Sequence, residues 1–318
     1  MRIAFPCLKA GFLRVSSRRI LGLAAVLATR RVCTTMASAG SQEPQPGADV
    51  GAARKKQPAA AKPAKKEVKI LMLHGYTQSG TLFHAKTRAL EKLLVKTLAP
   101  WNLVPVLHYA TGPAQVRPAD MPGFTGDAES DPRAQDAWAW FRRDEAANTY
   151  RRLPEGMRTV VAAIRSLGGI DAVLGFSQGG TFASMVTAAL EPDRSVPETP
   201  SPASGDDWSW VQELRAANGH RPLRFAVIYS AFLAAPPDLA WLSEPAIETP
   251  TLHFIGSLDT VVDERRSRDL VARCRDAIVV EHPGAHYVPI SKEWAMPLLG
   301  FVKKRCVDDE QDAVAANL

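Results

Sequence analysis

Gly175-Phe176-Ser177-Gln178-Gly179-Gly180 is the stretch of this 318-residue chain that decides its fold. It contains the pattern G-x-S-x-G, with an apolar run before it at 170–176 and a helical pattern after it at 178–190. A sharp strand-to-helix turn strains the serine backbone and would make flanking Cβ atoms collide, and Gly175 and Gly179 lack those atoms. The hydroxyl then stands above the sheet, at the positive end of the following helix. The context predicts a nucleophile elbow with Ser177 as nucleophile; the alternative is a simple glycine turn with an N-capping serine.

Five further apolar runs of strand length share this character, at 68–74, 103–109, 225–229, 251–255 and 277–281. Helical patterns lie between the runs, at 86–98, 156–167, 178–190 and 265–274. Continuous apolar strands that alternate with helices indicate a parallel sheet covered on both faces. We therefore expect an α/β-hydrolase fold: a mostly parallel central sheet with helices on both faces and short lid inserts.

Two long stretches interrupt the alternation of strands and helices. Residues 111–149 are rich in Pro, Gly, Asp and Trp, and residues 192–222 lack periodicity until a helical pattern at 208–217. Excursions of this length are usually functional lids or disordered inserts. Both are therefore expected to be placed where they could roof a pocket.

A serine nucleophile on this fold needs an acid and then a histidine, each just beyond a later strand. Asp259 follows the run at 251–255 and stands where the orienting acid belongs. Asp263 is the nearest rival, but it lies near a helix start, where an acid would serve as a cap. The positional rule favours Asp259.

Two histidines follow the last strand, and either could serve as the base. His282 falls at the strand end and is followed at once by Pro283. His286 lies in a glycine-containing loop before the final helix, a position suited to reaching across to Ser177. We favour His286, which would take the serine proton while Asp259 fixes its tautomer.

The oxyanion formed in such a reaction needs two backbone N–H donors. One is expected from Gln178, the residue after the nucleophile, and the other from the loop at 74–80. Tyr76 is the preferred donor in that loop, with Thr77 as the alternative. His74, a strand-end histidine before a glycine, is interpreted as a structural residue that orients the loop by hydrogen bonds.

The net charge of +6 is unevenly distributed along the chain. Residues 1–69 hold 14 Lys/Arg and three acids, a net +11, which leaves 25 basic and 30 acidic residues, a net −5, for residues 70–318. Because residues 70–318 are mildly acidic, their charge does not indicate a basic surface for binding nucleic acid. The four cysteines, Cys7, Cys33, Cys274 and Cys306, form no C-x-x-C, and reduced thiols in an intracellular compartment are the simplest interpretation.

The first 42 residues hold seven Lys/Arg and no Asp or Glu. This composition is typical of a mitochondrial transit peptide, while the apolar run at 20–28 leaves a secretory signal open and is too short for a stable membrane span. A third interpretation is an over-extended start, because Met36 has a good start context. We expect a mitochondrial location if residues 1–35 are genuine, and a cytoplasmic or also nuclear one if translation starts at Met36.

The rest of the chain divides into three parts. Residues 43–66, rich in Ala, Pro and Lys, lack the apolar surface to fold and are predicted to be a disordered linker. Residues 67–305 are predicted to form the hydrolase domain, and residues 306–318 a flexible tail. The sequence gives no sign of the oligomeric state.

Four ordered motifs resemble one known family over roughly residues 67–305. They are His74-Gly75-Tyr76-Thr77-Gln78-Ser79-Gly80, Gly175-Phe176-Ser177-Gln178-Gly179, Asp259-Thr260-Val261-Val262 and His282-Pro283-Gly284-Ala285-His286-Tyr287-Val288-Pro289. The segment 137–141, with its two tryptophans, is also similar. The family is the fungal serine hydrolases related to the human ovarian-tumour-associated hydrolase.

The resemblance implies a compact α/β hydrolase without metal or organic cofactor, using Ser177, Asp259 and His286 on a small-molecule acyl ester or thioester. Members are esterases, and some fungal relatives release polyketides as thioesterases, which implies a role in secondary metabolism. The alternative is an acyl-protein thioesterase or lysophospholipase-like carboxylesterase, since Gly-Phe-Ser-Gln-Gly-Gly is typical there too. A non-catalytic binding protein on a hydrolase scaffold is a third hypothesis, which labelling by a fluorophosphonate probe would discriminate.

Overall fold

The structure, a computed structural model, describes residues 65–121 and 135–308. The predicted transit peptide or over-extended start at 1–42 lies outside the described residues. So do residues 43–64 of the predicted linker and residues 309–318 of the predicted tail.

A six-stranded parallel sheet forms the centre of the described part. Its strands are β1 (Lys66–Leu73), β2 (Leu103–Ala110), β7 (Ala172–Phe176), β8 (Phe225–Tyr229), β9 (Thr251–Gly256) and β10 (Ile278–His282). Across the sheet they lie in the order β10-β9-β8-β7-β1-β2. These are the six apolar runs of the sequence. Since all six run parallel, their carboxyl ends meet at one edge of the sheet, the edge where open α/β sheets bind ligands.

Helices cover both faces of this sheet, as the fold class predicts. The described helices are α1 (Gly80–Leu98), α2 (Leu153–Leu167), α3 (Gln178–Leu190), α4 (Ser209–Ala217), α5 (Glu264–Val271) and α6 (Lys292–Lys303). Alternate strand side chains point to opposite faces: Leu71 and Val173 pack with α2, α3 and α4, while Met72 and Leu174 pack with α1 and α6. No helix among the described residues is both long and apolar enough to cross a membrane.

Several helix boundaries differ from the predicted ones. Helix α1 starts at Gly80 rather than at position 86, because the Ser79 hydroxyl accepts a hydrogen bond from Leu82 N–H at 3.1 Å and caps the helix earlier. Helix α2 starts at Leu153 rather than at 156, and α5 covers Glu264–Val271 rather than 265–274. Only helix ends are affected, where local pattern is least informative.

The two inserts differ in whether they contribute to the cleft at Ser177. The described residues of the insert at 111–149 take part in two short antiparallel ribbons, β3 (Ala114–Gln115) with β4 (Trp138–Ala139), and β5 (Arg142–Asp144) with β6 (Thr149–Arg151), which ends just beyond the insert. It contributes residues to the cleft at Ser177. The insert at 192–222 contributes none of that cleft's lining among the described residues; its residues 192–194 and 203–207 line two other recesses.

The folded body is slightly longer than the predicted domain at both ends. Strand β1 starts at Lys66, the last residue of the predicted linker, because Lys66 N–H donates to Asn102 O at 2.8 Å. Cys306, placed in the predicted flexible tail, is buried at 1% exposure in a π-helical turn, Lys304–Asp308, that follows α6. Its apolar neighbours in the α1/α6 layer explain the difference.

A buried ion pair fixes the start of the insert at 192–222. Arg194 Nη2 lies 2.6 Å from Glu191 Oε2, and their side chains are 1% and 9% exposed. Arg194 also donates to the carbonyls of Trp241, Pro245 and Ala246. Glu191 Oε1 accepts from the backbone N–H groups at 248 and 249 and from a threonine hydroxyl. This network ties the insert to the loop before β9, away from Ser177.

Two histidines are buried in neutral form. Burial lowers the pKa of His74, at the end of β1, to about 4, and burial lowers the pKa of His253, within β9, to about 4 as well. Both lie below the ordinary value of 6.5. The fold therefore favours the uncharged imidazole at both positions.

Replacing Arg194 with Met should cost about 3–5 kcal/mol of unfolding free energy, because Glu191 would stay buried without its counter-charge. Urea unfolding measures this loss. Arg158→Met, which breaks an exposed pair with Glu213 (46% and 35% exposed), should cost under about 1 kcal/mol. Equal losses in the two variants would contradict the assigned role of the buried pair.

The free energy of unfolding should be steady above about pH 6.5 and fall as the pH drops towards 4, because the unfolded chain takes up protons that His74 and His253 exclude in the fold. Each histidine should remove roughly 2 kcal/mol by about pH 5. Unfolding curves at stepped pH values measure the slope, and His253→Leu should make it shallower. A slope unchanged by that substitution would count against this explanation.

Candidate active site

Ser177 adopts the strained backbone conformation that the sequence predicts for it. Its φ is 55° and its ψ is −120°, between the end of β7 and the start of α3. A Cβ on Gly175 would lie 2.1 Å from the Gly179 carbonyl oxygen, and one on Gly179 would lie 2.2 Å from the Leu73 carbonyl oxygen. Neither distance is physically tolerable, so both positions require glycine for this turn to form.

Backbone hydrogen bonds hold the strained turn in place. Ser177 N–H donates to Tyr229 O of the neighbouring strand at 2.8 Å. The Ser177 carbonyl accepts from Gly180 N–H at 2.9 Å and from Thr181 N–H at 3.0 Å, which starts helix α3. The strain is thus fixed by the sheet on one side and by the helix on the other.

The structure brings together the three side chains predicted to form the triad. His286 Nε2 lies 2.8 Å from Ser177 Oγ, and His286 Nδ1 lies 2.7 Å from Asp259 Oδ2. The imidazole rests on the Phe176 ring, with 4.8 Å between ring centroids. Residues 82 and 109 positions away from Ser177 along the chain thereby meet at the carboxyl edge of the sheet.

The Asp259 carboxylate is buried but fully supplied with donors. Burial raises its pKa, while hydrogen bonds from His286 and from Val262 and Val261 N–H lower it more, so the pKa lies below the ordinary value. The two backbone donors both reach Oδ1 at 2.9 Å. Asp259 is therefore held ionised and oriented, with Oδ2 directed at the imidazole.

The two rival residues lie elsewhere. Asp263 caps helix α5 by accepting from Arg266 N–H at 3.0 Å, the capping role its position suggests. His282 is buried at the end of β10 with its ring near Tyr287 and Trp294, and burial lowers its pKa. Neither side chain contacts Ser177.

Tyr76 and Gln178, the predicted oxyanion donors, both line the cleft at Ser177. Thr77 N–H already donates to Trp138 O at 3.0 Å, so this alternative donor is occupied. Tyr76 N–H and Gln178 N–H have no acceptor within the described part of the chain. The N–H groups of the first helical turn lack intrahelical partners, which leaves that of Gln178 open towards the cleft.

His74 orders the loop that carries Tyr76. Its Nδ1 lies 2.8 Å from Gly75 O, and its Nε2 accepts from Gly112 N–H at 2.9 Å, which makes Nδ1 the protonated nitrogen. Its carbonyl accepts from Trp140 Nε1–H at 2.9 Å, and the two rings lie 5.0 Å apart. The structure thus places His74 in a supporting position, as the sequence analysis expects.

One contact of the site was not predicted from the sequence. The Gln178 side chain accepts from Trp140 N–H at 2.9 Å and donates to Phe141 O at 2.9 Å. Its amide thereby joins the start of helix α3 to the first insert. The tryptophan-bearing stretch at 137–141 was the one hint in the sequence that this segment belongs to the site. The sequence around Gln178 does not show that its side chain bonds to a backbone carbonyl 37 residues away.

Two recesses flank the Ser177–His286 pair. A cleft of about 470 Å³ contains the nucleophile and is lined by Tyr76, Asp120, Phe141, Arg142, Arg143, Tyr150, Ser177, Gln178, Phe232, Val261, Val262 and Arg266. A smaller recess of about 320 Å³ is lined by Gln78, Phe83, Lys86, Phe176, His286, Tyr287, Val288 and Ile290. The three arginines of the first recess were not predicted, because they come from two distant segments.

This arrangement has the parts that acyl transfer requires. A hydroxyl bonded to an imidazole, which is bonded in turn to an ionised carboxylate, can be deprotonated as it attacks a carbonyl. Nearby free N–H groups can receive the negative charge that develops on the carbonyl oxygen. Among the described residues, no group of three or more His, Cys, Asp or Glu is arranged to hold a metal ion.

Known proteins resemble this chain in sequence. It is 30% identical over 239 residues to a Schizosaccharomyces pombe protein named dihydrofolate reductase, covering 70% of this chain and 44% of that protein. The chain thus spans less than half of that relative. It is 29% identical over 255 residues to the esterase OVCA2 of Danio rerio, covering 74% of this chain and 97% of the relative.

The solved structure of Zea mays acyl-protein thioesterase 2 is 18% identical, with a TM-score of 0.45, over 77% of this chain and 96% of that one. Residues 64–298 match the protein family described as "Serine hydrolase (FSH1)". That match takes in more than two thirds of the chain and includes Ser177, Asp259 and His286. The chain belongs to the FSH1 family of serine hydrolases.

Proposed function

We propose that this chain hydrolyses a carboxylic ester or thioester through an acyl-enzyme intermediate, with Ser177, His286 and Asp259 as its catalytic triad. The observation that carries the proposal is the unbroken pair of hydrogen bonds at 2.8 and 2.7 Å that joins the three side chains. Family membership and the esterase name of the Danio rerio relative support the same class of reaction.

In the acylation step, Ser177 Oγ attacks the carbonyl carbon while His286 Nε2 takes its proton. The resulting imidazolium is stabilised by the Asp259 carboxylate, which also keeps Nδ1 protonated so that Nε2 is the basic nitrogen. When the carbonyl re-forms, the bond to the leaving oxygen or sulfur breaks, and His286 gives that atom the proton.

Deacylation repeats these roles with water as the nucleophile. His286 takes a proton from the water as its oxygen bonds to the acyl carbon, and returns the proton to Ser177 Oγ as the acyl–serine bond breaks. The products are a carboxylic acid and the free serine. No cofactor enters either step.

Tyr76 N–H and Gln178 N–H are the proposed oxyanion donors. The N-terminus of helix α3 adds its positive dipole end at the same place. The carbonyl of His74 and the side chain of Gln178 both bond to the Trp140–Phe141 segment, which would keep the two donors in register with the serine.

The cellular setting is proposed from the sequence alone. We propose a mitochondrial location if residues 1–35 are genuine, and a cytoplasmic or nuclear one if translation starts at Met36. A role in secondary metabolism rests on the resemblance to the polyketide-releasing relatives and stays a prediction.

Ser177→Ala should lower hydrolysis of a p-nitrophenyl ester by at least about a thousandfold, because the nucleophile is lost while the remaining site persists. Labelling by a fluorophosphonate probe should disappear with it. Ser166→Ala, which removes a hydroxyl on helix α2 bonded to Ala163 O, is the control and should keep both signals. Near-normal turnover by the Ser177 variant would reject the nucleophile.

Asp259→Asn should reduce kcat by about four orders of magnitude with little change in KM, since the amide no longer holds His286 in the required tautomer. Asp263→Asn is the matched control, because asparagine caps a helix as well as aspartate does. Steady-state kinetics on one ester compares the two. If the change at 263 proved the damaging one, the assignment of the acid would be wrong.

A further inference from the structure

The cleft that holds Ser177 is strongly basic. We call it the arginine cleft, after Arg142, Arg143 and Arg266 in its lining. Among its described lining residues there is one carboxylate, Asp120, which already pairs with Arg142 and, at 3.0 Å, with Arg117 outside the lining. Among the described residues, the lining therefore has a net positive charge, although residues 70–318 as a whole are net negative.

Two of these guanidinium groups have no acidic partner in the part of the chain that the structure describes. No Asp or Glu within the described ranges forms an ion pair with Arg143 or Arg266. Arg266 lies 4.7 Å above the centroid of the Phe232 ring and donates to Val261 O at 3.3 Å, and both of these partners line the same cleft. A guanidinium left with free donors is suited to binding a carboxylate.

Tyr150 adds an uncharged donor beside the two arginines. Its hydroxyl oxygen accepts from Ala235 N–H at 3.2 Å, which leaves the O–H proton free to donate. Burial raises the pKa of Tyr150, while the charges of Arg143 and Arg266 act on it in the opposite direction, as neighbouring cations do. The three side chains thus come from β5, β6 and α5, and all three line the arginine cleft.

The position of His286 distinguishes the two halves of the substrate. His286 must reach the leaving atom to protonate it, so the leaving group lies on its side of Ser177. His286 lines the smaller recess, whose other lining is mainly apolar, and it is absent from the lining of the arginine cleft. Since the leaving group takes the smaller recess, the acyl half of the substrate occupies the arginine cleft.

We infer that the acyl half of the substrate carries a carboxylate, which the arginine cleft binds through Arg266 and Arg143, while an apolar alcohol or thiol occupies the recess beside His286. The substrate class is thus the half-ester or half-thioester of a dicarboxylic acid. This inference rests on the proposed function and specifies the substrate for the same site.

The test compares two matched series of p-nitrophenyl esters on the full chain. One series carries a free terminal carboxylate on acyl chains of adipate length and longer, since shorter half-esters cyclise unaided. The other carries the same acyl chains capped as methyl esters. We divide kcat/KM for each acid ester by kcat/KM for its methyl-capped counterpart. This ratio should be about ten, and it should fall as salt is added, because salt screens exposed guanidinium groups.

Arg266→Gln should lower this ratio about fivefold, mainly through a higher KM for the acid ester, and Arg266→Glu should bring it below one. Arg165→Gln is the matched control, because it removes the same charge from the exposed end of helix α2, and it should leave the ratio unchanged. A ratio of one in the unaltered protein, or a ratio insensitive to both changes at 266, would overturn the inference.

A third set of substrates consists of esters of neutral acids whose leaving group carries the carboxylate. If the enzyme preferred a carboxylate on the leaving group instead of on the acyl half, the assignment of the two halves would be wrong. Hydrolysis of capped esters without any charge preference would overturn this inference and leave the proposed function standing. Failure to cleave every ester and thioester would overturn both.

Discussion

The left-handed backbone of Ser177 is the constraint on which the rest of the site depends. A serine with φ of 55° is strained by about 1–3 kcal/mol, and it persists only because its surroundings allow no other arrangement. The absence of Cβ atoms at Gly175 and Gly179 lets helix α3 approach β7 and the end of β1 closely. That approach brings the serine hydroxyl and the helix N-terminus to one point.

The first insert, residues 111–149, stabilises the loop after β1 and the start of helix α3 beside Ser177. Trp140 connects the carbonyl of His74 to the side chain of Gln178, so the loop after β1 and the start of α3 share a partner. Stacking of Trp140 on Phe182 at 5.0 Å anchors the insert to α3 itself. The same insert then supplies Arg142 and Arg143 to the cleft, so the element that stabilises the site also shapes its charge.

The second insert is long but lies outside the cleft. Its first residues belong to the buried Glu191–Arg194 network, which is satisfied by backbone groups of the loop before β9. Length and composition made 111–149 and 192–222 look equivalent in the sequence. Hydrogen-bond partners distant along the chain distinguish them, and local pattern contains no information about such partners.

The sequence by itself determined the sheet, the elbow and the identity of Ser177, Asp259 and His286 as candidates, because strand periodicity, steric rules for glycine and chain order are local or ordinal properties. It also identified His74 as structural. Tertiary structure alone decided that Thr77 N–H is occupied, that Cys306 is buried and that the arginines converge beside Ser177. Those facts depend on which surfaces meet after folding, and a one-dimensional pattern does not encode contacts between segments that lie far apart along the chain.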